Sequence, residues 1–275
     1  MPSFPSRRLP SPIVSRPAAI PEPSTIKAEA PYEQPTTPLP DLKLSNGARE
    51  TLLAAKMLWT STRSLLVSFQ GGACGFGEFG RNINGGDVGA VAKLYRNGAG
   101  CGACYQVRCT NPQLCFEDGL KIVVTDHGEG DNTDFILSAS GFAKLARPGM
   151  AKELIAHGVV DVEYRRISCQ YPGYNLIFKV LEQSKFPDYI AIIILYQAGQ
   201  KDIIAMELWQ EDCQQWKGMR RAYGGVWDMV NPSKGALTLR FLASDKGGQK
   251  WFQLRNVIPG DWKAGVSYDS AFQLF

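Results

Sequence analysis

Residues 100–109 read GCGACYQVRC, and three of the chain's seven cysteines fall within this stretch. Five of the seven lie between positions 74 and 115. Such local density is typical of a disulfide framework or of a metal site. The spacing C-x2-C-x4-C-x5-C fits neither a paired zinc ribbon nor the usual iron–sulfur runs, and no thioredoxin-like strand–CxxC–helix pattern surrounds it. The pattern favours disulfides over the metal and redox alternatives, and disulfides predict an oxidising compartment and therefore secretion.

The composition of the 275 residues limits the classes of function. Hydrophobic residues make up 44% of the chain, which is enough for one large or two modest domains. The net charge of +4 is too small to predict a nucleic-acid partner. The longest apolar run, Ile190–Tyr196, is far shorter than the roughly 18–20 residues that span a bilayer. We expect neither nucleic acid nor a membrane as a partner.

The first 64 residues differ in composition from the rest. Eleven of the 17 prolines lie in the first 40 positions, which predicts a disordered Pro-rich leader over residues 1–64. Within it, ARETLLAAKMLWT (48–60) has the composition of a short helix. No apolar segment typical of a secretory signal peptide is visible there.

Beyond the leader, the apolar runs have the length of strands and are separated by glycine-rich turns. Short helices are expected over residues 140–146 and 150–158, the second ending at Gly158. The turn-rich segment 170–175 divides the runs into two groups. The predicted strands cover residues 65–69, 105–109, 121–126, 134–138 and 160–167, and then 176–182, 189–197, 203–210, 236–241 and 250–257. The fold class is therefore mainly β, with a sandwich as the second unit.

Several stretches, in this order and spacing, resemble expansins, and most closely the plant expansin-like B group. They are GGACGFG (71–77), LYRNGAGCGACYQVRC (94–109), VVTDHGEGDNTDFILS (123–138), GVVDVEYRRISC (158–169), YIAIIILYQAGQKDIIAMEL (189–208), YGGVWD (223–228) and VIPGDWKAGVSYD (257–269).

The resemblance implies a six-stranded double-psi β-barrel over residues 65–173, related to family-45 endoglucanases. A linker or first strand (174–186) and an immunoglobulin-like, cellulose-binding β-sandwich (187–270) would follow. It also implies a secreted, monomeric, non-hydrolytic cell-wall protein without cofactor or metal, which binds cellulose or another β-glucan and loosens non-covalent polysaccharide contacts. Xyloglucan or another matrix glycan is a further expected partner. Carbohydrate binding without loosening, and residual endoglucanase activity, are the alternatives.

The resemblance also implies which cysteines pair and what the first barrel strand lacks. The implied disulfides are Cys74–Cys101, Cys104–Cys169 and Cys109–Cys115. Cys213 is left over, either as a buried apolar thiol or as a cysteine whose partner stood in a lost N-terminal segment. The region SLLVSFQ (64–70) aligns with the first barrel strand but lacks the tyrosine and threonine that line the groove in expansins.

Asp126 and Asp134 are the acidic candidates for the groove. Asp126 follows a buried strand and matches a Thr-Asp of the family's groove, where a carboxyl suits proton donation or acid-dependent binding. Expansins proper carry His-Phe-Asp before Leu-Ser. Here Ile136 stands at that aspartate's position, and Asp134 shares its strand face. Because two carboxyls are needed for glycoside hydrolysis, this departure argues against an enzyme. A turn-capping Asp126, a structural Asp134 and an exposed loop role for His127 are the simpler interpretations.

Aromatic side chains of the second domain are the candidates for sugar stacking. Tyr189 and Tyr223 match the family's platform, although many expansins have tryptophan at the second position. Phe186 and Trp216 are weaker candidates to extend the platform. Core or edge packing explains three further tryptophans better: Trp227, Trp251 and Trp262. Three basic side chains either contact acidic pectin or solvate the surface: Lys185, Lys217 and Arg221.

Overall fold

A computed structural model describes residues 53–60, 72–128 and 134–275. The first domain is a closed six-stranded barrel, and the second is a sandwich of a four-stranded and a five-stranded sheet. Both lie within one compact unit, Ala48–Phe275. The barrel strands are β1 Leu53–Thr60, β2 Val88–Val91, β3 Cys104–Cys109, β4 Leu120–His127, β5 Phe135–Ser138 and β6 Val159–Ile167. The helices are α1 Glu78–Asn82, α2 Ala139–Ala143 and α3 Ala151–His157, with two 3₁₀ segments at Ile83–Gly86 and Lys93–Gly98.

The barrel closes in the order β1-β5-β2-β4-β3-β6. The β1–β5 and β2–β4 pairs are parallel, and the others are antiparallel. Alternate side chains of each strand point inward, so that the barrel interior forms an apolar core. Fully buried side chains in that core include Met57, Val107, Ile122, Val124 and Phe135. The predicted double-psi barrel is confirmed.

The first barrel strand corrects two predictions. Residues 53–60 form β1, whereas their composition predicted a helix within a leader that ended at residue 64. β1 hydrogen-bonds to β5 on one side and to β6 on the other, and this tertiary pairing outweighs a weak local helix preference. The expected strand at 65–69 lies outside the described residues.

The sandwich strands follow the predicted runs, together with four short strands that sequence reasoning missed. The five-stranded sheet has the order β11-β12-β8-β7-β15 and the four-stranded sheet β10-β9-β13-β14. Their bounds are β7 Ile177–Val180, β8 Tyr189–Leu195, β9 Asp202–Gln210, β10 Gln215–Gly218, β11 Arg220–Tyr223, β12 Val226–Val230, β13 Leu237–Asp245, β14 Gly248–Ile258 and β15 Ser267–Asp269.

Strand β8 explains how the two domains join. Its even-numbered residues Ile190, Ile192 and Ile194 face the sandwich core. The odd-numbered residues, such as Ala191 and Ile193, instead pack in a cluster with Cys74 and Phe76 of the barrel domain. A strand that is buried on both faces has a continuous apolar sequence, and β8 has one. The barrel therefore lies against the outer face of the five-stranded sheet.

Backbone contacts hold this junction together. The amide of Gly225 donates to the carbonyl of Cys74 at 3.0 Å. A Cβ added at Gly98 would lie 2.1 Å from the carbonyl oxygen of Gly224, and one added at Gly224 would lie 2.3 Å from that of Ala73. Glycine is needed at both positions because backbone meets backbone directly.

Charged side chains complete the junction. Asp202 of the sandwich pairs with Arg96 and Arg166 of the barrel, each at 2.9 Å. Arg221, predicted to be a surface cation, instead donates to the carbonyls of Gly98, Gly224 and Ile203. Burial lowers the pKa of Arg221. Its place on β11 aims it into the junction, so neither pectin contact nor surface solvation describes its role.

Three disulfides reinforce the barrel domain. They join Cys74 to Cys101, Cys104 to Cys169 and Cys109 to Cys115, with Cα–Cα distances of 5.5, 5.3 and 5.7 Å. Cys213 is free and exposed, so of the two alternatives for this cysteine the buried apolar thiol is wrong. It follows Asp212 in the turn between β9 and β10, where no core covers it. No helix among the described residues is long and apolar enough to cross a membrane.

Candidate functional site

An open cleft of about 1040 Å³ lies where the barrel meets the five-stranded sheet. The barrel contributes one wall and strands β7 and β11, with the turn after β7, contribute the other. Its lining is rich in charged and small residues: Ala73, Gly75, Gly77, Glu78, Arg81, Asn82, Asp126, His127, Lys179, Leu181, Glu182, Gln183 and Tyr223. The cleft brings together one predicted acid, Asp126, and one predicted platform tyrosine, Tyr223.

Asp126 is positioned by an irregularity near the end of β4. The register between β2 and β4 shifts so that Gly89 pairs with Val124 and Ala90 with Asp126. Such a bulge re-aims the side chain that follows it. Asp126 is 8% exposed, and its Oδ1 accepts from the amides of Ala73 and His127 at 2.5 and 2.8 Å. The carboxylate of Asp126 therefore binds two main-chain amides, and it also lines the cleft.

His127 and Tyr95 flank this carboxylate. Their ring centroids are 4.7 Å apart, and the Tyr95 hydroxyl donates to the carbonyl of Ala73 at 3.2 Å. Burial raises the pKa of Tyr95, and the negative charge of Asp126 adds to that rise. Tyr95 therefore stays protonated and keeps donating to Ala73. This hydrogen bond fixes the main chain next to Cys74.

The position opposite Asp126 carries no acid. Ala90 pairs with Asp126 on one side and with Ile136 on the other, so these three lie side by side on β4, β2 and β5. Two strand spacings separate positions 126 and 136 by roughly 10 Å. That is close to the separation of an inverting carboxyl pair, but Ile136 is apolar and 5% exposed.

Asp134 does not join Asp126. Among the described residues, those that line the cleft do not include Asp134, although it was predicted for the same groove. It precedes β5, and its main-chain carbonyl accepts from the amide of Ala92 at 3.3 Å. Burial raises the pKa of Tyr164, and the charges of Tyr105 and Asp134 contribute to that rise.

Sequence reasoning missed a charged pair on the sandwich wall. Lys179 of β7 forms a 2.8 Å ion pair with Glu182. The hydrogen bond from Lys179 holds the pKa of Glu182 below its usual value, so this carboxyl stays ionised and is a poor proton donor. The sequence does place a basic and an acidic residue three positions apart here. Because both fell within the strand predicted over 176–182, nothing in the sequence indicated that the pair lines a cleft.

Tyr223 and Tyr189 lie on the sheet face that meets the barrel. Tyr223 pairs with Val226, which pairs with Ile193, so these side chains share a face with the odd-numbered residues of β8, including Tyr189. Tyr223 is 48% exposed, and its ring lies against Gly75, where an added Cβ would be 2.9 Å from Cε2. The cleft therefore continues from Asp126 onto an aromatic surface.

A charged network fixes Tyr189. Its hydroxyl donates to Asp228 Oδ2 at 3.1 Å, and Arg220 donates to both oxygens of Asp228 at 3.0 and 2.6 Å. The hydrogen bonds from Arg220, and then that from Tyr189, hold the pKa of Asp228 below its usual value. Burial, followed by the bond to Asp228, raises the pKa of Tyr189. The ring is thus held in one orientation before any ligand arrives.

Other predicted aromatics are distributed differently. Trp227 and Trp262 are buried in the sandwich core, and Phe186 is exposed and packs against Trp262 at 5.1 Å. Trp216 lies on β10 of the four-stranded sheet, whereas the tyrosines lie on the other sheet. It cannot extend their platform, because the sandwich core separates the two outer faces. Trp251 lies on edge strand β14 of the same four-stranded sheet.

The four cysteines with the spacing considered for a metal site are all bonded in disulfides: Cys101, Cys104, Cys109 and Cys115. Within residues 53–60, 72–128 and 134–275, no three His, Cys, Asp or Glu side chains come together as a metal site.

Comparison with known proteins gives consistent matches for both domains. A family model described as "Expansin C-terminal domain" matches residues 176–259, and a double-psi barrel model described as "Lytic transglycolase" matches residues 87–164. Expansin-like B1 of Arabidopsis thaliana is 55% identical over 200 residues, covering 72% of this chain and 80% of that protein. Expansin-like B1 of Oryza sativa subsp. japonica is 47% identical over 209 residues, covering 74% and 82%.

Solved structures show the same fold. The apo expansin of Clavibacter michiganensis superposes with a TM-score of 0.60 at 19% identity, over 82% of this chain and 98% of that one. A point mutant of that expansin, solved in complex with cellohexaose, superposes with the same TM-score at 18% identity and the same coverage.

Proposed function

This chain belongs to the expansin family, and from that premise we propose that it is a secreted cell-wall protein that binds cellulose and related β-glucans without hydrolysing them. The observation that carries the proposal is the continuity of the cleft. Asp126 and His127 of the barrel and Tyr223 of the sandwich line one opening, and Tyr189 lies on the same sheet face. A glucan chain could contact all four without any domain movement.

The chemistry of the two walls suits a polysaccharide. Sugar rings present C–H groups that pack on aromatic faces, while carboxylate and amide groups bind the hydroxyls at the ring edges. Tyr223 supplies an exposed ring, and Asp126, Asn82 and Gln183 supply polar groups. The bacterial expansin solved with cellohexaose supports a cellulose-type ligand for this fold.

The absence of a second acid opposite Asp126 supports binding without cleavage. Inverting hydrolysis needs a general acid and a general base on opposite sides of the glycosidic bond. Ile136 fills the place two strands from Asp126, and Glu182, which Lys179 holds as an anion, is poorly suited to be the general acid. Residual endoglucanase activity is therefore the weaker candidate.

Loosening of wall polysaccharides is the second part of the proposal. Because the two domains are joined directly, their contacts can act together on one glucan chain. Such binding competes with the contacts that this chain makes with neighbouring polysaccharides. Carbohydrate binding without loosening is the alternative, favoured by the isoleucine at position 136 in place of the family's aspartate. The three disulfides agree with a protein made in an oxidising compartment and delivered to the wall.

Three measurements test the proposal: retention on insoluble cellulose, release of reducing sugar and creep of isolated walls. Wild type should be retained on insoluble cellulose and should release no reducing sugar. Tyr189→Ala/Tyr223→Ala should bind at least tenfold more weakly, about 1.4 kcal/mol. Phe116→Ala, which removes an exposed aromatic ring elsewhere on the barrel, is the matched control and should bind as wild type does. Creep of heat-inactivated walls under constant load at acid pH then separates loosening from binding, because a pure binding protein would produce none.

A further inference from the structure

The outer face of the four-stranded sheet carries a second group of aromatic rings. Trp209 of β9 and Trp216 of β10 are directly paired across the strands, with ring centroids 5.4 Å apart and planes inclined by 64°. Trp251 on β14 is 39% exposed at the other side of the sheet. This face is on the opposite side of the sandwich from Tyr189 and Tyr223.

Arg240 of β13 holds these rings in place. Its guanidinium carbon is 4.5 Å from the ring centroid of Trp216 and 4.6 Å from that of Trp251. Glu207 on the neighbouring strand binds the same guanidinium at 2.5 Å. Contacts of this kind attract the guanidinium to the faces of both rings. Arg240, itself bound by Glu207, therefore holds the rings of Trp216 and Trp251 in place before a ligand binds.

A groove of about 390 Å³ runs beside the paired tryptophans. Its lining consists of two indole rings, one hydroxyl, two side-chain amides, one acidic side chain and one basic side chain: Trp209, Trp216, Thr238, Gln253, Asn256, Glu211 and Arg255. The β13–β14 register shifts near Leu237, and Asn256 there has a φ of +51°. The hydroxyl of Thr238 donates to the side-chain oxygen Oδ1 of Asn256 at 3.2 Å and accepts from the main-chain amide of Asn256 at 3.1 Å. These two bonds orient the side-chain amide of Asn256 at the groove.

We propose that this groove is a second glycan-binding site, which takes a single neutral polysaccharide chain. The inclined pair of rings forms an angled apolar wall that one chain can pack along, whereas a flat crystalline sugar surface needs coplanar rings. Glu211 and Arg255 balance each other's charge, and the remaining polar groups suit hydroxyls, so the lining does not favour an acidic chain. With the cleft on the opposite face, one molecule can hold two different chains.

The site is tested with soluble cellohexaose, followed by tryptophan fluorescence and calorimetry. Tyr189→Ala/Tyr223→Ala, which impairs the proposed cleft site, should still bind cellohexaose in a saturable manner. Adding Gln253→Ala to that variant should weaken binding at least fivefold, and adding Trp209→Ala should abolish it. Gln253 is an exposed side chain on an edge strand, so its replacement leaves the sheet intact and keeps the test valid if the tryptophan variant fails to fold.

The outcomes separate this proposal from the preceding one. Gln253→Ala and Trp209→Ala in the wild-type background should leave retention on insoluble cellulose unchanged. Loss of all cellohexaose binding in the double tyrosine variant would overturn the second site. Unchanged binding after the added Gln253→Ala would also overturn it, as would tighter binding of hexagalacturonate than of cellohexaose.

Discussion

Replacing Gly98 by alanine probes the junction that joins the two walls of the cleft. Gly98 has a φ of +90°, and the new Cβ would lie 2.1 Å from the carbonyl oxygen of Gly224 and 2.7 Å from its Cα. The obstacle is backbone, so no rotamer change can relieve it. Gly149 is the matched control, because its φ is +84° and nothing lies within 4 Å of its Cβ site.

The magnitude follows from two separate costs. A left-handed backbone at a non-glycine residue costs about 1–2 kcal/mol, and both variants carry that cost. Forcing a methyl group into a close-packed site adds about 1–3 kcal/mol, which only Gly98→Ala carries. We therefore expect the free energy of unfolding to fall by about 1–2 kcal/mol for Gly149→Ala and by about 2–5 kcal/mol for Gly98→Ala.

Denaturant unfolding followed by circular dichroism measures both values, and calorimetry shows whether the domains unfold together. Wild type should give one cooperative transition, and Gly98→Ala should broaden or split it because the domains no longer support each other. Gly98→Ala should also weaken retention on cellulose, since Gly224 follows Tyr223 in the chain. Equal stability of the two variants would refute the reasoning that direct backbone contact holds the junction.

Three further predictions concern the network, the disulfides and the aromatic surface. Asp228 has a lowered pKa in the folded state, so its stabilisation is present above the unfolded value of about 3.9 and is lost as the pH falls through the folded value. Asp228→Asn should therefore cost about 1.5–3 kcal/mol between pH 5 and 7, and the cost should shrink as the pH falls below about 4, as measured by denaturant unfolding; a cost that does not change with pH would contradict this. Cys74→Ser/Cys101→Ser should lower stability by about 3.5 kcal/mol, the loop-closure value for a separation of 27 residues, and a loss below about 1 kcal/mol would contradict it. Tyr223→Trp should tighten retention on cellulose severalfold through its larger ring, whereas unchanged retention would remove Tyr223 from the contact surface.

Much of the fold could be predicted because its signals are local or pairwise. The alternation of Val160, Val162 and Tyr164 identified β6, and the continuous apolar run around Ile192 identified β8. The family resemblance implied three cysteine pairings, and the structure has them. The apolar residues before Asp126 predicted a buried strand there, and β4 occupies that position.

The incorrect predictions share a different cause. In each case the outcome depends on which strand, distant in sequence, pairs with the segment in question. Residues 53–60 have a helical composition, yet they form β1 between β5 and β6. Arg221 looked like a surface cation, but β11 turns it into the junction. Trp216 was a weak candidate to extend the tyrosine platform, but β10 pairs with β9 and carries it to the opposite face. No local pattern distinguishes these alternatives.

Retention on insoluble cellulose, measured together with reducing sugar released in the same tube, tests the central claim most directly. We predict that wild type binds, that Tyr189→Ala/Tyr223→Ala is released at least tenfold more readily, and that neither yields sugar above a protein-free blank. Reducing ends that accumulate in proportion to wild-type protein, or equal retention of the two proteins, would contradict it.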